Sequence, residues 1–234
     1  MRMKIVITAG PTREYLDPVR FLSNPSTGKM GFAIAAEAVR RGHEVVLVAG
    51  PVARKTPKGV ARVDVTSARE MLKAALDVVG RGLRPRRGGP GVSALPMVFI
   101  STAAVADWRP ARCAAKKLKK GEMSGVLKLV RNPDILKTIA GLRRARSARP
   151  AGGGIRLVGF AAETDHVLAE AARKCREKGL SFIVANDVTK KGCGFGTDTN
   201  RVTFVFPDGR QRKFPLMTKR MVAKRILEEV ENEE

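Results

Sequence analysis

The chain has 234 residues, 44% of them apolar, and 45 basic against 22 acidic residues give it a formal net charge of +23. That length suits one large domain or two small ones, with enough apolar residues for a core. The sequence has no apolar run long enough for a membrane helix and no signal-peptide pattern, so we expect a cytoplasmic protein without membrane association.

The positive charge is spread through every segment, and aromatic residues make up only 5% of the chain. Few rings are therefore present to stack on unpaired bases, and we expect no specific nucleic-acid partner. The charge instead favours anionic small-molecule ligands, with nonspecific nucleic-acid binding at low salt. Cys113, Cys175 and Cys193 are odd in number and lack CxxC spacing, which indicates reduced thiols.

Apolar runs bounded by turns alternate with helical patterns, which predicts βαβ units and a mainly parallel sheet flanked by helices. In chain order, the predicted elements are strand Lys4–Ala9, helix Gly31–Arg41, strand Glu44–Ala49, helix Ser67–Val79, strand Met97–Ser101, helix Pro133–Leu142, strand Arg156–Phe160, helix Asp165–Lys178, strand Phe182–Ala185, strands Arg201–Phe206 and Arg210–Phe214, and helix Lys219–Glu231. The last two strands flank an Asp-Gly turn and predict a C-terminal β-hairpin.

Local signals mark several element ends. Ser67 and Asp165 suit helix N-caps, and Gly42 and Gly179 lie where helices should stop. Residues 80–96 and 143–154 are rich in Gly, Pro and Arg without apolar periodicity, so we expect surface loops there.

The stretch Asn24–Gly31 (NPSTGKMG) lies between the first strand and the first helix. Small residues at such a bend let backbone N–H groups converge on an anion, and the helix N-terminus adds partial positive charge. Ser23 and Met30 stand where a Walker loop needs Gly and Ser or Thr, so this is not a P-loop. We predict a phosphate site, with a plain tight connection as the alternative. Its candidate substrate-binding residues are Asn24, Ser26, Thr27 and Gly28.

Small residues also follow the third predicted strand, in Ser101–Pro110, and end at Asp107. Ligands of open α/β sheets bind at the carboxyl ends of strands. Asp107 therefore suits a ribose, a base amine or Mg²⁺, or else a buried structural role paired with Arg109.

Three further segments have a functional and a plain interpretation. Lys116–Lys120 suits either a solvated face or neutralisation of a leaving pyrophosphate. Asn132–Ile135 suits a helix N-cap or the reading of a base edge. Lys174 and Lys178 share a helix face, which suits solubility or a phosphate clamp.

Taken together, these segments resemble the phosphopantothenate–cysteine ligase family over about residues 4–230. The matching motifs are ITAGPTRE (Ile7–Glu14), DPVRFLSNPSTGKMG (Asp17–Gly31), AAVADWRP (Ala103–Pro110), KLKK (Lys117–Lys120), NPDIL (Asn132–Leu136), VGFAAET (Val158–Thr164), VANDV (Val184–Val188) and FGTDTNRV (Phe195–Val202).

The resemblance implies a Rossmann-like fold, one ligase domain over residues 1–234, and a homodimer. The implied enzyme joins 4′-phosphopantothenate to L-cysteine through an acyl-nucleotide, in coenzyme A biosynthesis. The implied co-substrate is CTP, with ATP as the alternative, together with Mg²⁺. The net charge of +23 leaves a second alternative, a nonenzymatic nucleotide- or nucleic-acid-binding protein on the same fold. No decarboxylase half is seen in the sequence, so a separate phosphopantothenoylcysteine decarboxylase would be a partner.

The resemblance also implies residue roles. Asn24 falls at the family's intermediate-processing Asn and Lys117 at its catalytic Lys, although Lys116 lets that assignment slip by one. The positions that match nucleotide contacts are Ser101, Thr102, Ala103, Asp107, Lys117, Asn132, Pro133, Asp134, Ile135, Phe160, Lys174 and Lys178. Trp108 and Thr27 depart from the commoner family residues, and no metal ligand is assigned.

Overall fold

A computed structural model describes residues 1–82, 95–119, 121, 125–147, 154–163, 165–190 and 192–232. Within them, helices cover both faces of an eight-stranded sheet. The helices are α1 (Lys29–Arg40), α2 (Ala68–Gly82), α3 (Ile135–Ser147), α4 (Val167–Lys178) and α5 (Lys219–Asn232). The strands are β1 (Lys4–Ala9), β2 (Arg13–Tyr15), β3 (Phe21–Ser23), β4 (Glu44–Ala49), β5 (Ala61–Asp64), β6 (Met97–Ser101), β7 (Trp108–Pro110), β8 (Leu129–Arg131), β9 (Ile155–Glu163), β10 (Phe182–Asp187), β11 (Thr199–Asn200), β12 (Val202–Val205), β13 (Gln211–Lys213) and β14 (Met217–Thr218).

The central sheet has the order β13-β12-β10-β9-β6-β1-β4-β5. Adjacent strands from β10 to β5 are parallel, whereas β12 is antiparallel to β10 and β13 is antiparallel to β12. After β1 the chain adds β4 and β5 on one side, then crosses to add β6, β9 and β10 on the other. This topology confirms the predicted Rossmann-like α/β class with a C-terminal hairpin. The side on which the chain adds successive strands changes at the boundary between β1 and β6. Open parallel sheets bind ligands at such a change in strand order.

The core lies in two layers, one on each face of the sheet. Successive side chains of a strand point to opposite faces, so Ile5 and Ile7 of β1 pack with α1 and α5, and Val6 packs with α2 and α3. Strands buried on both faces have nearly continuous apolar sequences. That is why the predicted bounds of β1, β4 and β6 agree with the structure.

Two segments predicted as loops, residues 80–96 and 143–154, are helical where they begin. Helix α2 runs to Gly82 and α3 to Ser147, so each enters a segment expected to be a loop. Ala and Arg, which are good helix formers, extend α3, whereas α2 continues through Gly80 and Gly82 against their low helix propensity, and neither helix meets a proline before these ends. The rest of those loops, residues 83–94 and 148–153, lies outside the described residues, as do Lys120 and Thr164 of the matched motifs.

The helix ends confirm one predicted N-cap and correct the other. The Ser67 hydroxyl accepts the Glu70 N–H at 3.2 Å, while the Glu70 carboxylate accepts the Thr66 N–H at 2.9 Å. Asp165 is not the cap of α4, because His166 takes that position with a left-handed φ of 44°. The Asp165 carboxylate instead accepts the His166 N–H. Gly42 and Gly179 end helices with positive φ, as predicted.

Several short strands were not predicted. The edge strand β5 is at best half-buried, and β2–β3, β7–β8 and β11–β14 form two-stranded ribbons of two or three residues each. Such strands are too short for a period-two pattern, and only β2 and β3 pair with a strand close by in the sequence.

Gly31 sets how closely α1 approaches the sheet. A Cβ on Gly31 would lie 2.5 Å from the Ala9 Cβ and 2.6 Å from the Thr102 Oγ1. We expect Gly31→Ala to lower the free energy of unfolding by about 1–3 kcal/mol, because the helix must move away from β1. Gly80→Ala in α2 is the matched control, since its Cβ meets no atom within 4 Å. Urea unfolding of both variants tests this, and equal stability would contradict it.

Candidate active site

A cleft of about 630 Å³ opens beside the carboxyl ends of β6, β9 and β10, next to the start of α1. All predicted site residues except Thr27 and Lys117 line it. They are Asn24, Ser26, Gly28, Ser101, Thr102, Ala103, Asp107, Asn132, Pro133, Asp134, Ile135, Phe160, Lys174 and Lys178. The topological reversal therefore gathers segments that are far apart along the chain.

The stretch Asn24–Gly31, called the phosphate loop after its predicted role, forms one end of the cleft. Gly28 is the N-cap of α1 with a φ of 71°, a conformation that favours glycine, and the Phe32 N–H closes the first turn on the Gly28 carbonyl. The N–H groups of that first turn have no intrahelical partner. Together with the helix dipole, they make this end suitable for an anion.

Two lysines at this end were not predicted as site residues. Lys29 and Lys219 both line the cleft. Burial is the main cause that lowers the pKa of Lys219, and the positive charge of the nearby Lys29 adds to it. The negative charge of Asp198 opposes that shift. Lys29 belongs to a motif quoted above, and a basic residue directly after the bend was the available signal. Lys219 carries no local signal, because only the packing of α5 brings it here.

Asn24, the first residue of the phosphate loop, contacts the segment that follows β6. Its Nδ2 donates hydrogen bonds to the carbonyls of Ala104 at 3.2 Å and Val105 at 3.1 Å. Its side chain is therefore held in one orientation by the segment that follows β6.

The segment after β6 is tied to the start of α3 through Asn132. The Asn132 Nδ2 donates to the Ala106 carbonyl at 2.8 Å, and its Oδ1 accepts from Arg109 at 3.2 Å. Arg109 also donates to the Arg131 carbonyl. The alternative that Asp107 pairs with Arg109 is not what the structure shows. Among described residues, the exposed Asp107 carboxylate has no hydrogen-bond or ion-pair partner.

Asp134 and Lys178 form an ion pair of 2.7 Å at the far end of the cleft. Burial raises the pKa of Asp134, but the hydrogen bonds from Lys178 and from the Lys137 N–H outweigh it and hold the pKa below 3.8. Lys174 lies one turn earlier on α4 and lines the same cleft. This end of the cleft therefore has two ammonium groups and one compensated carboxylate.

Lys178→Gln should raise the pKa of Asp134, because the opposing effect of burial remains when the ammonium group is lost. A depressed carboxyl pKa stabilises the fold above the unfolded-state pKa, and that contribution is lost as the pH falls through the folded-state pKa. The variant should thus be less stable than the parent at neutral pH, and this difference should shrink as the pH falls below about 4. A carbon-detected NMR titration of both proteins measures the shift, and an unchanged Asp134 pKa would refute it.

Lys117 lies outside the cleft on an exposed segment. Its neighbour Leu118 is anchored, since the Leu118 N–H donates to Asp17 at 3.2 Å and Arg20 donates to the Leu118 carbonyl at 2.5 Å. Burial opposes the shift, but hydrogen bonds from Val19, Arg20 and Leu118 lower the pKa of Asp17 to about 2. Thr27, also outside the lining, donates to the Phe195 carbonyl at 3.0 Å.

Two buried acceptors belong to residues that line the cleft and have no partner among the described residues. The Oδ1 atoms of Asn186 and Asn200 have no hydrogen bond, and both side chains are over nine-tenths buried. An unsatisfied buried acceptor costs about 1–3 kcal/mol, so a donor on a bound ligand would be favourable here.

The described residues contain no group of three or more His, Cys, Asp or Glu side chains that could hold a metal ion. In the same part of the chain, no helix is long and apolar enough to cross a membrane.

Comparison with known proteins agrees with this architecture. The family model described as DNA/pantothenate metabolism flavoprotein C-terminal domain matches residues 1–233. The coenzyme A biosynthesis bifunctional protein CoaBC of Bacillus subtilis is 43% identical over 97% of this chain and 50% of its own length. The chain thus spans about half the length of the curated relatives that it matches.

Solved structures show the same fold. The crystal structure of the C-terminal domain of CoaBC has a TM-score of 0.72 and 41% identity, covering 98% of this chain and 94% of that one. A Cab2 mutant in complex with phosphopantothenate-cysteine has a TM-score of 0.66 at 15% identity, covering 98% and 87%. At that identity, the second comparison supports the fold alone.

Proposed function

Because this chain belongs to the DNA/pantothenate metabolism flavoprotein C-terminal domain family, we propose that it ligates 4′-phosphopantothenate to L-cysteine in coenzyme A biosynthesis. One observation supports this proposal most. Residues of six matched motifs, which are distant along the chain, line a single cleft with ammonium groups at both ends.

The proposed reaction has two steps. A carboxylate oxygen of phosphopantothenate attacks the α-phosphorus of CTP, and the bond to the pyrophosphate oxygen breaks. The cysteine nitrogen then attacks the acyl carbon, loses a proton and expels CMP. Oxide is a poor leaving group and a nucleotide is a good one, so no side-chain nucleophile is needed. The protein contributes alignment and neutralisation of charge.

The two ends of the cleft suit the two anionic reactants. We place the phosphate of phosphopantothenate at Ser26, Thr27, Gly28 and Lys29, where the helix N-terminus favours it. The nucleotide would lie along Ser101–Ala103, Asp107, Asn132–Ile135 and Phe160, with its phosphates near Lys174 and Lys178. Asn132 spends its amide on internal bonds, so base contacts would come from its neighbours.

Mg²⁺ would arrive with the triphosphate. In such sites Mg²⁺ keeps several waters and is held by substrate phosphates plus one or two carboxylates. The Asp107 carboxylate, which lines the cleft without a described partner, fits that donor set and would hold the ion on the protein side. Bound there, the ion would neutralise charge on the phosphates.

We also propose a homodimer. The edge strand β13 of the C-terminal hairpin is fully exposed and polar, whereas exposed apolar side chains gather near the ribbons β2–β3 and β7–β8. They are Val19, Phe21, Trp108, Val126, Leu127 and Leu129. A second copy covering this surface would also give Lys117 a route to a cleft that it does not line in its own chain. Sedimentation analysis tests the dimer.

The remaining parts of the proposal follow the resemblance. They are a single ligase domain over residues 1–234, which the family match over 1–233 supports, a cytoplasmic location, and a phosphopantothenoylcysteine decarboxylase that takes up the product.

Pyrophosphate release tests the function directly. Purified protein is incubated with phosphopantothenate, Mg²⁺ and either CTP or ATP, with and without cysteine. We expect release with CTP and cysteine-dependent formation of the amide product. Release with ATP but not with CTP would overturn the CTP assignment. No release with either nucleotide would overturn the proposal that the chain is a ligase.

A further inference from the structure

A glycine turn, residues 194–198, lies over the phosphate loop and is held there by two lysines. The Lys219 Nζ donates to the carbonyls of Gly194 at 3.2 Å, Phe195 at 3.4 Å and Thr197 at 2.6 Å. The Lys29 Nζ donates to the Gly196 carbonyl at 2.7 Å. The turn and the phosphate loop are thus fastened together at the mouth of the anion site.

The same turn places a carboxylate on Lys29. The Asp198 Oδ1 lies 2.7 Å from the Lys29 Nζ, although the Asp198 side chain is 87% exposed. The hydrogen bond from Lys29, with the charges of Lys29, Lys219 and Arg54, lowers the pKa of Asp198. The carboxylate of Asp198 is therefore paired with Lys29, the one basic residue of the phosphate loop.

We propose that Asp198 is an internal counter-anion which the phosphate of the acid substrate displaces from Lys29. This inference rests on the proposed function for the identity of that substrate. A phosphate monoester carries about −1.5 to −2 charges near pH 7, against −1 for a carboxylate. The exchange therefore favours a phosphorylated acid, because an unphosphorylated acid offers only a single −1 carboxylate, which has no charge advantage over Asp198.

The exchange is also inexpensive for the fold. An ion pair with one largely exposed partner is weak, and the backbone of the turn keeps its bonds to Lys219 when the carboxylate leaves. Asp198 thus screens the site from weak anions and lowers the affinity for phosphate by a modest factor.

Asp198→Asn tests this with inorganic phosphate as the probe. Isothermal titration should show a Kd for phosphate about three- to fivefold lower than in the parent protein, the factor that a weak ion pair supports. Asp208→Asn is the matched control, because Asp208 is an exposed turn aspartate paired with Arg210 away from the cleft. It should leave the phosphate Kd unchanged. An unchanged or higher Kd in Asp198→Asn would overturn the proposal.

A double-mutant cycle locates the effect. In a Lys29→Gln background, Asp198→Asn should no longer tighten phosphate binding, because the competition is for Lys29. An equal gain in that background would reject the proposal. Asp198→Ser, which removes the same charge, should reproduce the gain in the parent background. The titration needs no turnover, so it remains decisive even if no variant shows ligase activity.

Discussion

Replacing Lys117 with glutamine should lower kcat for amide formation by about 10²–10³-fold, the range seen when one group that stabilises transition-state charge is removed. The pyrophosphate leaves as a polyanion, and a compact ammonium group neutralises the charge that develops on it. Because Lys117 is exposed and the anchor of the segment is Leu118, circular dichroism and thermal unfolding should be unchanged.

Lys116→Gln is the matched control for this variant, since both lysines are exposed neighbours on the same segment. It should keep turnover within about twofold of the parent enzyme. If Lys116→Gln loses turnover and Lys117→Gln does not, the motif assignment has slipped by one residue. Full turnover in both variants would remove this segment from the mechanism.

Replacing Asn24 with aspartate should stop the reaction after the first step. A carboxylate cannot donate to the carbonyls of Ala104 and Val105, which hold Asn24 at 3.2 and 3.1 Å, and it adds a charge beside an anionic intermediate. Misplacement of about 1 Å in such a site costs about 10²-fold. Pyrophosphate release depends on the lysines instead, so we expect the acyl-nucleotide to accumulate.

Mass spectrometry of quenched reactions should therefore detect the acyl-nucleotide in Asn24→Asp, with little amide product after cysteine is added. Ser23→Ala serves as the neighbouring control, because the Ser23 hydroxyl donates to the Thr12 carbonyl and does not line the cleft. It should complete both steps. Cysteine-dependent product at the parent rate in Asn24→Asp would reject the role of Asn24.

Much of the fold could be predicted because its signals are local. Strands β1, β4 and β6 are buried on both faces and so appear as short apolar runs. The N-cap at Ser67 and the Asp-Gly turn before β13 each lie within a few residues of the chain. The ribbons β7–β8 and β11–β14 were missed because their strands are distant in the sequence, and the local ribbon β2–β3 was missed because its strands have only three residues each.

The site divides in the same way. Motifs at strand ends predicted part of the cleft lining, since parallel strands bring their carboxyl ends to one edge, but they did not indicate Lys29 and Lys219. The contacts of Lys219 and Asp198 with the phosphate loop were not predictable, because they depend on where α5 and the glycine turn pack. The position of Lys117 outside the cleft was likewise invisible in its motif.

By itself, then, the amino-acid sequence determined the order and type of the main elements and the family, and it predicted a phosphate site at Asn24–Gly31. Only the tertiary structure decided which charges meet, namely Lys29 with Asp198, Lys178 with Asp134, and the anchoring of Leu118 by Asp17 and Arg20. The physical reason is range. Burial and backbone conformation follow largely from residue types and local sequence patterns. An ion pair instead depends on two side chains that come together only when the chain folds.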